Sequence, residues 1–192
     1  MADFDAIVLA GGAGRRLGGV DKAAIDVGRM TLLDRALAAV DGARSVVVVG
    51  PERPLPVGVQ VTCEEPPGGG PVAAIEAGLA VVTQPLVVVL ACDMPLVGAE
   101  RVRRLIDVLA SAEHPDTHVA LYVERGRRQP LAAAYRIAPL REAMVSLSPT
   151  HGRAVRDLVG LLTVAEIPAD AGSTADVDTW DDVARSRTLL ED

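Results

Sequence analysis

The sequence predicts a three-layer α/β domain built on a mostly parallel central sheet. Short apolar runs alternate with longer amphipathic stretches along the 192 residues. The apolar runs are continuous rather than alternating, as expected for strands that helices cover on both faces. Apolar residues make up 49% of the chain, which argues against disorder and fits one domain over residues 1–192.

The first part of the chain predicts four buried strands, and the helices between them have clear boundary signals. The helix predicted over residues 31–40 has Thr31 as its N-cap, and Pro71 suits the first turn of the next helix. A further helix is expected over residues 98–112. The four strands are predicted at residues 5–10, 45–49, 57–63 and 86–92.

The later part of the chain is more mixed. Strands are expected near residues 119–124, 131–136 and 162–167, and helices near 139–147 and 153–161. A last helix begins near Thr179, which can cap it, while Asp181 and Asp182 suit its positive N-terminus.

Composition excludes several classes of protein. A formal net charge of −7 argues against a general nucleic-acid binder, which usually has a basic face. The N-terminus lacks the pattern of a secretory signal, and no apolar run could span a bilayer, so we expect a cytoplasmic protein without membrane contact. Cys63 and Cys92 are too few for a disulfide framework and are expected to be buried thiols.

A glycine-rich loop follows the first predicted strand, at residues 11–19. Ligands of open α/β sheets bind beyond the carboxyl ends of the strands, where glycines let backbone N–H groups approach phosphates. Leu17 breaks the dinucleotide fingerprint, and Lys22 is not placed as in a P-loop. Arg15, Arg16 and Lys22 would suit a triphosphate, although solvated charges on a surface loop are the alternative.

Asp93 follows the most hydrophobic predicted strand. Its carboxylate should therefore lie at the carboxyl end of that strand, on the same edge of the sheet as the glycine loop. A hard cation such as Mg²⁺ takes oxygen ligands, often one or two carboxylates together with substrate phosphates. A turn or helix-capping aspartate is the structural alternative.

Two segments resemble specific signatures of the molybdenum cofactor guanylyltransferases, which belong to the broad nucleotidyltransferase family. These are LAGGAGRRLGGVDK at residues 9–22 and CDMPL at residues 92–96. Three weaker matches follow the same order along the chain: EEPPGGGP at 64–71, GRRQPL at 126–131 and DVDTWDD at 176–182. The resemblance implies a Rossmann-like nucleotidyltransferase fold, with a nucleotide-binding half at about 1–112 and an acceptor-binding half at about 113–192.

The resemblance also implies roles for individual residues. Arg16 and Lys22 would serve the phosphates, and Asp93 would bind Mg²⁺ as the only implied cofactor. Glu64, or Glu65 as its alternative, would contact the base, whose N–H groups are donors. The remaining implied residues are Leu9, Ala10, Gly11 and Gly12 around the nucleotide, and Gln129, Asp176 and Asp178 near the acceptor.

The implied reaction joins GTP to molybdenum-molybdopterin, giving the guanine dinucleotide form of the cofactor and pyrophosphate. Molybdoenzymes or cofactor-inserting proteins are the implied protein partners. Two alternatives stay open: a cytidylyltransferase or other NTP transferase, and a nucleotide-binding domain without turnover. Related cytidylyltransferases usually have alanine where this chain has Gly11. Because glycine leaves more room for the base, Gly11 favours a purine nucleotide.

Overall fold

The computed structural model describes residues 2–12, 15–113 and 115–191. Its strands are β1 (Phe4–Leu9), β2 (Asp26–Val27), β3 (Met30–Thr31), β4 (Val46–Val49), β5 (Val59–Thr62), β6 (Leu86–Ala91), β7 (Val119–Glu124), β8 (Arg127–Arg136) and β9 (Val164–Pro168). Its α-helices are α1 (Leu32–Ala39), α2 (Pro71–Leu79), α3 (Ala99–Ala110), α4 (Ile137–Leu147), α5 (Val155–Val159) and α6 (Trp180–Glu191).

Seven strands form the central sheet, in the order β5-β4-β1-β6-β8-β7-β9. Only β8 is antiparallel to its neighbours, β6 and β7, so the sheet is mostly parallel as predicted. The inner strands β1 and β6 are buried along their whole length because helices cover both faces. One face packs against α1 and α3 and the other against α2, α4 and α5, which confirms the three-layer α/β architecture.

The topology brings the carboxyl ends of β1, β4, β6 and β7 to one edge of the sheet. Because β8 runs the opposite way, its first residues lie at this same edge. The glycine loop, Asp93 and Gln129 therefore all belong to one rim, even though they come from distant parts of the sequence.

A small third core lies beside this rim. Leu17, Ile25, Val27 and Leu32 pack against Val177 and Val183. The first four belong to the glycine loop, the β2–β3 hairpin and the start of α1, whereas the last two flank and begin α6. The packing ties the segment that carries Lys22 to the segment that carries Asp178.

Three local predictions were wrong in detail. Cys63 is exposed rather than buried, because it follows β5, which is the edge strand of the sheet. Strand β8 begins at Arg127 and not at residue 131, because Arg125 and Gly126, both with positive φ, form a tight hairpin turn after β7. Helix α5 is shorter than residues 153–161. Within the described ranges, no helix is both long and apolar enough to span a bilayer.

Candidate active site

Asp93 lies immediately beyond β6, as the sequence predicts. The backbone on either side of it is fixed: Cys92 N donates to the Leu9 carbonyl at 3.0 Å, and the Asp93 carbonyl accepts from Val177 N at 2.9 Å. The first bond joins the residue before Asp93 to the end of β1, which leads into the glycine loop, and the second joins Asp93 to the segment before α6. Asp93 is thus the meeting point of the two halves of the chain.

Lys22 lies between two carboxylates. Its ammonium group donates to Asp93 Oδ2 and to Asp178 Oδ1, each at 2.7 Å, and its side chain is only 13% exposed. Asp21 precedes it and caps the short 3₁₀ turn Lys22–Ala24 by accepting a hydrogen bond from Ala23 N. The turn therefore aims Lys22 across the rim towards Asp93.

The charges of this cluster shift one another's pKa values. Burial raises the pKa of the Asp93 carboxyl, Lys22 pulls it down, and the charges of Asp176 and Asp178 push it up, so the net pKa is raised. Burial alone would lower the pKa of Lys22, but the charge of Asp93 and the hydrogen bonds to Asp178 and Asp93 outweigh it and raise that pKa. The carboxylates of Asp93 and Asp178 thus flank one ammonium group, and the charge of Asp176 acts on Asp93 from nearby.

Arg16 stands at the mouth of the cluster. Its guanidinium lies 3.4 Å from Asp178 Oδ2, and its side chain is 75% exposed. Such an exposed pair contributes little to stability. Breaking the contact between Arg16 and Asp178 therefore costs little.

The start of the glycine loop lines the same rim. Leu9 and Ala10 are buried, whereas Gly11 and Gly12 are exposed. A Cβ atom at Gly50, which follows β4, would lie 2.9 Å from the Ala10 carbonyl carbon, so glycine permits this close approach. The expected phosphate contacts of the backbone from Gly11 to Gly14 fall partly on residues 13 and 14, which lie outside the described residues.

The two candidate base-contacting residues differ in their surroundings. Glu64 is half-buried and accepts a hydrogen bond from Gly68 N at 3.0 Å, whereas Glu65 is exposed. The loop that follows is held from the other half of the chain, since Gly152 N donates to the Gly69 carbonyl at 2.8 Å. These contacts fix the position of Glu64 more firmly than that of Glu65.

The predicted acceptor residues fall into two groups. Asp178 joins the Lys22 cluster, while Asp176 is exposed beside it and borders a cavity of about 400 Å³ that Arg125 and Arg185 also line. Gln129 is half-buried near the start of β8, at an irregularity in the pairing with β7. The structure thus places Asp178 with Asp93 and leaves Gln129 apart from the hydrogen-bonded cluster.

One residue of this rim was not predicted from the sequence, although its side chain is largely buried. Arg53, in the loop after β4, contacts both Asp21 and the Ala10 carbonyl. It lies in a polar and proline-rich loop, where an arginine is ordinarily a solvated charge. No local motif distinguishes it, because its partners come from two other loops.

The carboxylates of this cluster form at most part of a metal site. Among residues 2–12, 15–113 and 115–191, no group of three or more His, Cys, Asp or Glu side chains is arranged to hold a metal ion. Two carboxylates, those of Asp93 and Asp178, do converge on one positive charge. Such a pair fits Mg²⁺, which commonly takes one or two carboxylates and completes its shell with phosphates and water.

Comparison with known proteins gives three relevant findings. The model of the family described as "MobA-like NTP transferase domain" matches residues 6–163. A protein named "Probable molybdenum cofactor guanylyltransferase" from Natronomonas pharaonis is 32% identical over 99% of this chain and 100% of its own length. The third finding concerns solved structures.

Two solved structures superpose over nearly the whole chain. Molybdopterin-guanine dinucleotide biosynthesis protein A from Archaeoglobus fulgidus matches with a TM-score of 0.76, covering 97% of this chain and 98% of its own. 2-C-methyl-D-erythritol 4-phosphate cytidylyltransferase from Thermus thermophilus matches with a TM-score of 0.73 and the same coverage. Both are 21% identical to this chain, so these two likenesses establish the fold and do not distinguish guanylyl from cytidylyl transfer.

Proposed function

Because the chain belongs to the family of MobA-like NTP transferase domains, we propose that it transfers GMP from GTP to molybdenum-molybdopterin and releases pyrophosphate. One observation carries the proposal: Lys22, Asp93 and Asp178 meet within hydrogen-bonding distance at the rim where the glycine loop begins. The 32% identity to a protein named as a guanylyltransferase, over nearly the full length of both chains, supports the choice of substrates.

The nucleotide would lie along the glycine loop. Leu9 to Gly12 would line the nucleoside, and the triphosphate would extend towards Lys22 and Arg16. These two cations would neutralise the departing pyrophosphate, where charge accumulates as the bond breaks. The exposure of Arg16 supports this role, because its guanidinium can turn towards the phosphates without disrupting packed structure.

The acceptor would enter from the second half of the chain, near Asp176, Asp178 and Gln129. An oxygen of its terminal phosphate attacks the α-phosphorus of GTP, and the bond from that phosphorus to the bridging oxygen breaks as pyrophosphate leaves. A phosphomonoester has a second pKa of about 6, so the attacking oxygen is largely deprotonated at neutral pH. The site would therefore work by positioning and charge neutralisation, without a general base.

Asp93 would hold Mg²⁺, with Asp178 or Asp176 as the second carboxylate. When bound, the ion would supply charge neutralisation at the phosphates. Asp93 and Asp178 already share the ammonium group of Lys22, which is why these carboxylates suit a cation. Lys22 would then keep the pair compensated whenever no metal is bound.

Glu64 would select the base. A carboxylate accepts hydrogen bonds, and the N1–H and N2 amino groups of guanine are donors on one edge. The bond from Gly68 N occupies Glu64 Oε1 and orients the carboxylate. Glu65, which is exposed, is the alternative that the same experiment can exclude.

The test incubates the protein with Mg²⁺, molybdenum-molybdopterin and each of the four NTPs, and identifies products by mass. We expect a guanine dinucleotide and one equivalent of pyrophosphate from GTP, and little product from CTP, ATP or UTP. Glu64→Gln should weaken this preference, whereas the neighbouring control Glu65→Gln should not.

The other outcomes define the alternatives. Equal or greater turnover of CTP would replace guanylyl with cytidylyl transfer. Binding of nucleotide without pyrophosphate release from any NTP would indicate a domain that binds without turnover.

A further inference from the structure

We propose that Arg53 is a positioning residue of the nucleotide site, and that it fixes the glycine loop and the Lys22 turn in position relative to each other. The inference rests on the proposed function, because it assumes that Lys22 acts on the triphosphate. It assigns a role to a residue outside every segment that matches the family's signatures.

The guanidinium of Arg53 joins three segments of the chain. Its NH1 group donates to the two carboxylate oxygens of Asp21, at 3.3 and 3.1 Å. Its NH2 group donates to the Ala10 carbonyl oxygen at 3.2 Å, and its Nε donates to the Pro51 carbonyl oxygen at 3.2 Å. All three guanidinium nitrogens are thus engaged, with partners in the glycine loop, in the Lys22 turn and in its own loop.

Each contact acts on a part of the nucleotide site. Asp21 immediately precedes Lys22 and caps its turn through Ala23 N, so Arg53 fixes the residue that aims Lys22. Ala10 begins the glycine loop, and its carbonyl group is oriented by the bond from Arg53. The close approach of Gly50 to Ala10 brings the Arg53 loop within reach of that carbonyl.

The contacts of Arg53 argue for an indirect role. Its side chain is 9% exposed and all three guanidinium nitrogens are engaged, so a contact with a triphosphate would require Arg53 to release Asp21 or the Ala10 carbonyl. The positive charge of Arg53 also offsets the negative charge of Asp21, which would otherwise repel an incoming triphosphate beside Lys22. Arg53 therefore acts through its neighbours, both by geometry and by neutralising a carboxylate.

Arginine is required for this arrangement rather than any cation. The planar guanidinium presents several donors in fixed directions, whereas lysine presents one compact ammonium group. A lysine at position 53 could neutralise Asp21 but could not also orient both carbonyl groups. The two substitutions Arg53→Lys and Arg53→Ala therefore separate charge from geometry.

The experiment measures GTP binding and steady-state transfer for Arg53→Ala, Arg53→Lys and the control Arg44→Ala. Arg44 is 66% exposed and pairs with Asp3 at the opposite edge of the sheet. We expect kcat/KM for GTP to fall about 10- to 100-fold in Arg53→Ala, as when a partner that orients a ligating group is lost. The kcat/KM of Arg53→Lys should lie between those of wild type and Arg53→Ala, and the kcat/KM of Arg44→Ala should match wild type.

Chemical rescue and coupling identify the positioning role. Millimolar guanidinium, well below denaturing concentrations, should restore part of the activity of Arg53→Ala. The same addition should not raise the activity of Arg44→Ala. Asp21→Asn should reproduce much of the loss, and the double variant Asp21→Asn/Arg53→Ala should lose less than the two single losses combined.

One result would contradict the positioning role: a folded Arg53→Ala protein with lower thermal stability but with the kcat/KM and GTP affinity of wild type. Arg53 would then be purely structural. The proposed function fails separately, if wild-type protein releases no pyrophosphate with any NTP. The GTP dissociation constant still tests Arg53 in that case, and an unchanged constant in Arg53→Ala would overturn the inference.

Discussion

Lys22 is the only lysine in the sequence, and its ammonium group lies between Asp93 and Asp178. The residue pattern and the family resemblance both favoured a phosphate-binding lysine here, with a solvated loop charge as the alternative. Its burial and its two ion pairs remove that alternative for the protein without ligand. If Lys22 binds a phosphate of GTP, as proposed, its ammonium group would use its third N–H or exchange a carboxylate for the phosphate.

Lys22→Met tests this exchange at the scale of a single residue. We expect kcat/KM for GTP to fall roughly 10- to 100-fold, because a hydrogen bond to a charged group contributes about 1.5–3 kcal/mol. Unfolding free energy should fall by about 1–2 kcal/mol, less than for a fully buried pair, since Asp178 is 44% exposed. The control Arg44→Met removes an exposed pair with Asp3 and should leave both quantities near wild type.

The single lysine also gives a direct reading of ligand binding. Protein labelled with ¹³C at the lysine ε-carbon gives one lysine side-chain NMR signal, and saturating GTP with Mg²⁺ should shift it. A signal that does not move would contradict contact between Lys22 and the phosphates.

Glu124 links the end of β7 to the segment that leads to Asp176 and Asp178. Its carboxylate accepts hydrogen bonds from Gly172 N, from Thr174 N at 3.1 Å and from Thr174 Oγ1 at 2.5 Å. Burial would raise the pKa of Glu124, but these hydrogen bonds outweigh it, and the pKa is lowered. The stabilisation is therefore complete above the pKa of an unfolded glutamate, about 4.3, and is lost as pH falls through the lower folded value.

Glu124→Gln should remove this pH dependence. We expect the variant to be about 1.5–3 kcal/mol less stable at neutral pH, the scale of hydrogen bonds to a charged group, and to approach wild type as the pH falls. Urea unfolding at neutral pH and at steps below pH 5 measures the difference. Glu166→Gln, at an exposed pair, serves as control, and a wild-type–variant difference that stays constant with pH would refute the assignment.

At the scale of the element, two helices begin with the same capping box, but only one of the two boxes contacts the candidate site. Thr31 and Asp34 cap α1, where the Thr31 side chain accepts from Asp34 N at 3.0 Å. Thr179 and Asp182 cap α6, and Asp182 Oδ2 also accepts from Asp178 N at 3.2 Å. Only the second box therefore orients a residue of the Lys22 cluster.

The pair forms a matched test. Asp34→Ala and Asp182→Ala should each lower the unfolding free energy by about 0.5–2 kcal/mol, the usual cost of a lost cap. Only Asp182→Ala should also lower kcat/KM, because Asp178 loses its backbone anchor. Equal activity of the two variants, with both folded, would show that the α6 cap does not position Asp178.

Prediction from sequence succeeded where the signal was local. Thr31 was identified as a cap, Pro71 as a helix start and Thr179 as a cap, because each depends on its immediate neighbours. The β2–β3 hairpin and the start of β8 were missed, because two-residue strands and an Arg-Gly turn have no strong pattern. The elements that carry the site were thus predictable, and the small ones that adjust it were not.

At the scale of the whole molecule, the order of the strands creates the candidate site. Continuous apolar strands predicted a parallel sheet, and from that alone Asp93 and the glycine loop could be expected on one edge. The resemblance implied that Asp178 lies at the site, but the residue pattern alone could not predict its place, because that place depends on the third core and on the bond from Val177 N to the Asp93 carbonyl, which join residues far apart in sequence. Arg53 escaped prediction for the same reason.

Transfer of GMP at the Asp93 cluster is the central claim, and Asp93→Asn tests it most directly. Asparagine keeps the size of aspartate, and the backbone bond to Val177 does not depend on the side chain. The measurement follows label from α-phosphate-labelled GTP into molybdenum-molybdopterin with Mg²⁺, for wild type and for the folded variant. We predict a loss of about 100-fold or more, since several kcal/mol of transition-state stabilisation depend on this charge; a rate near that of wild type would contradict the account.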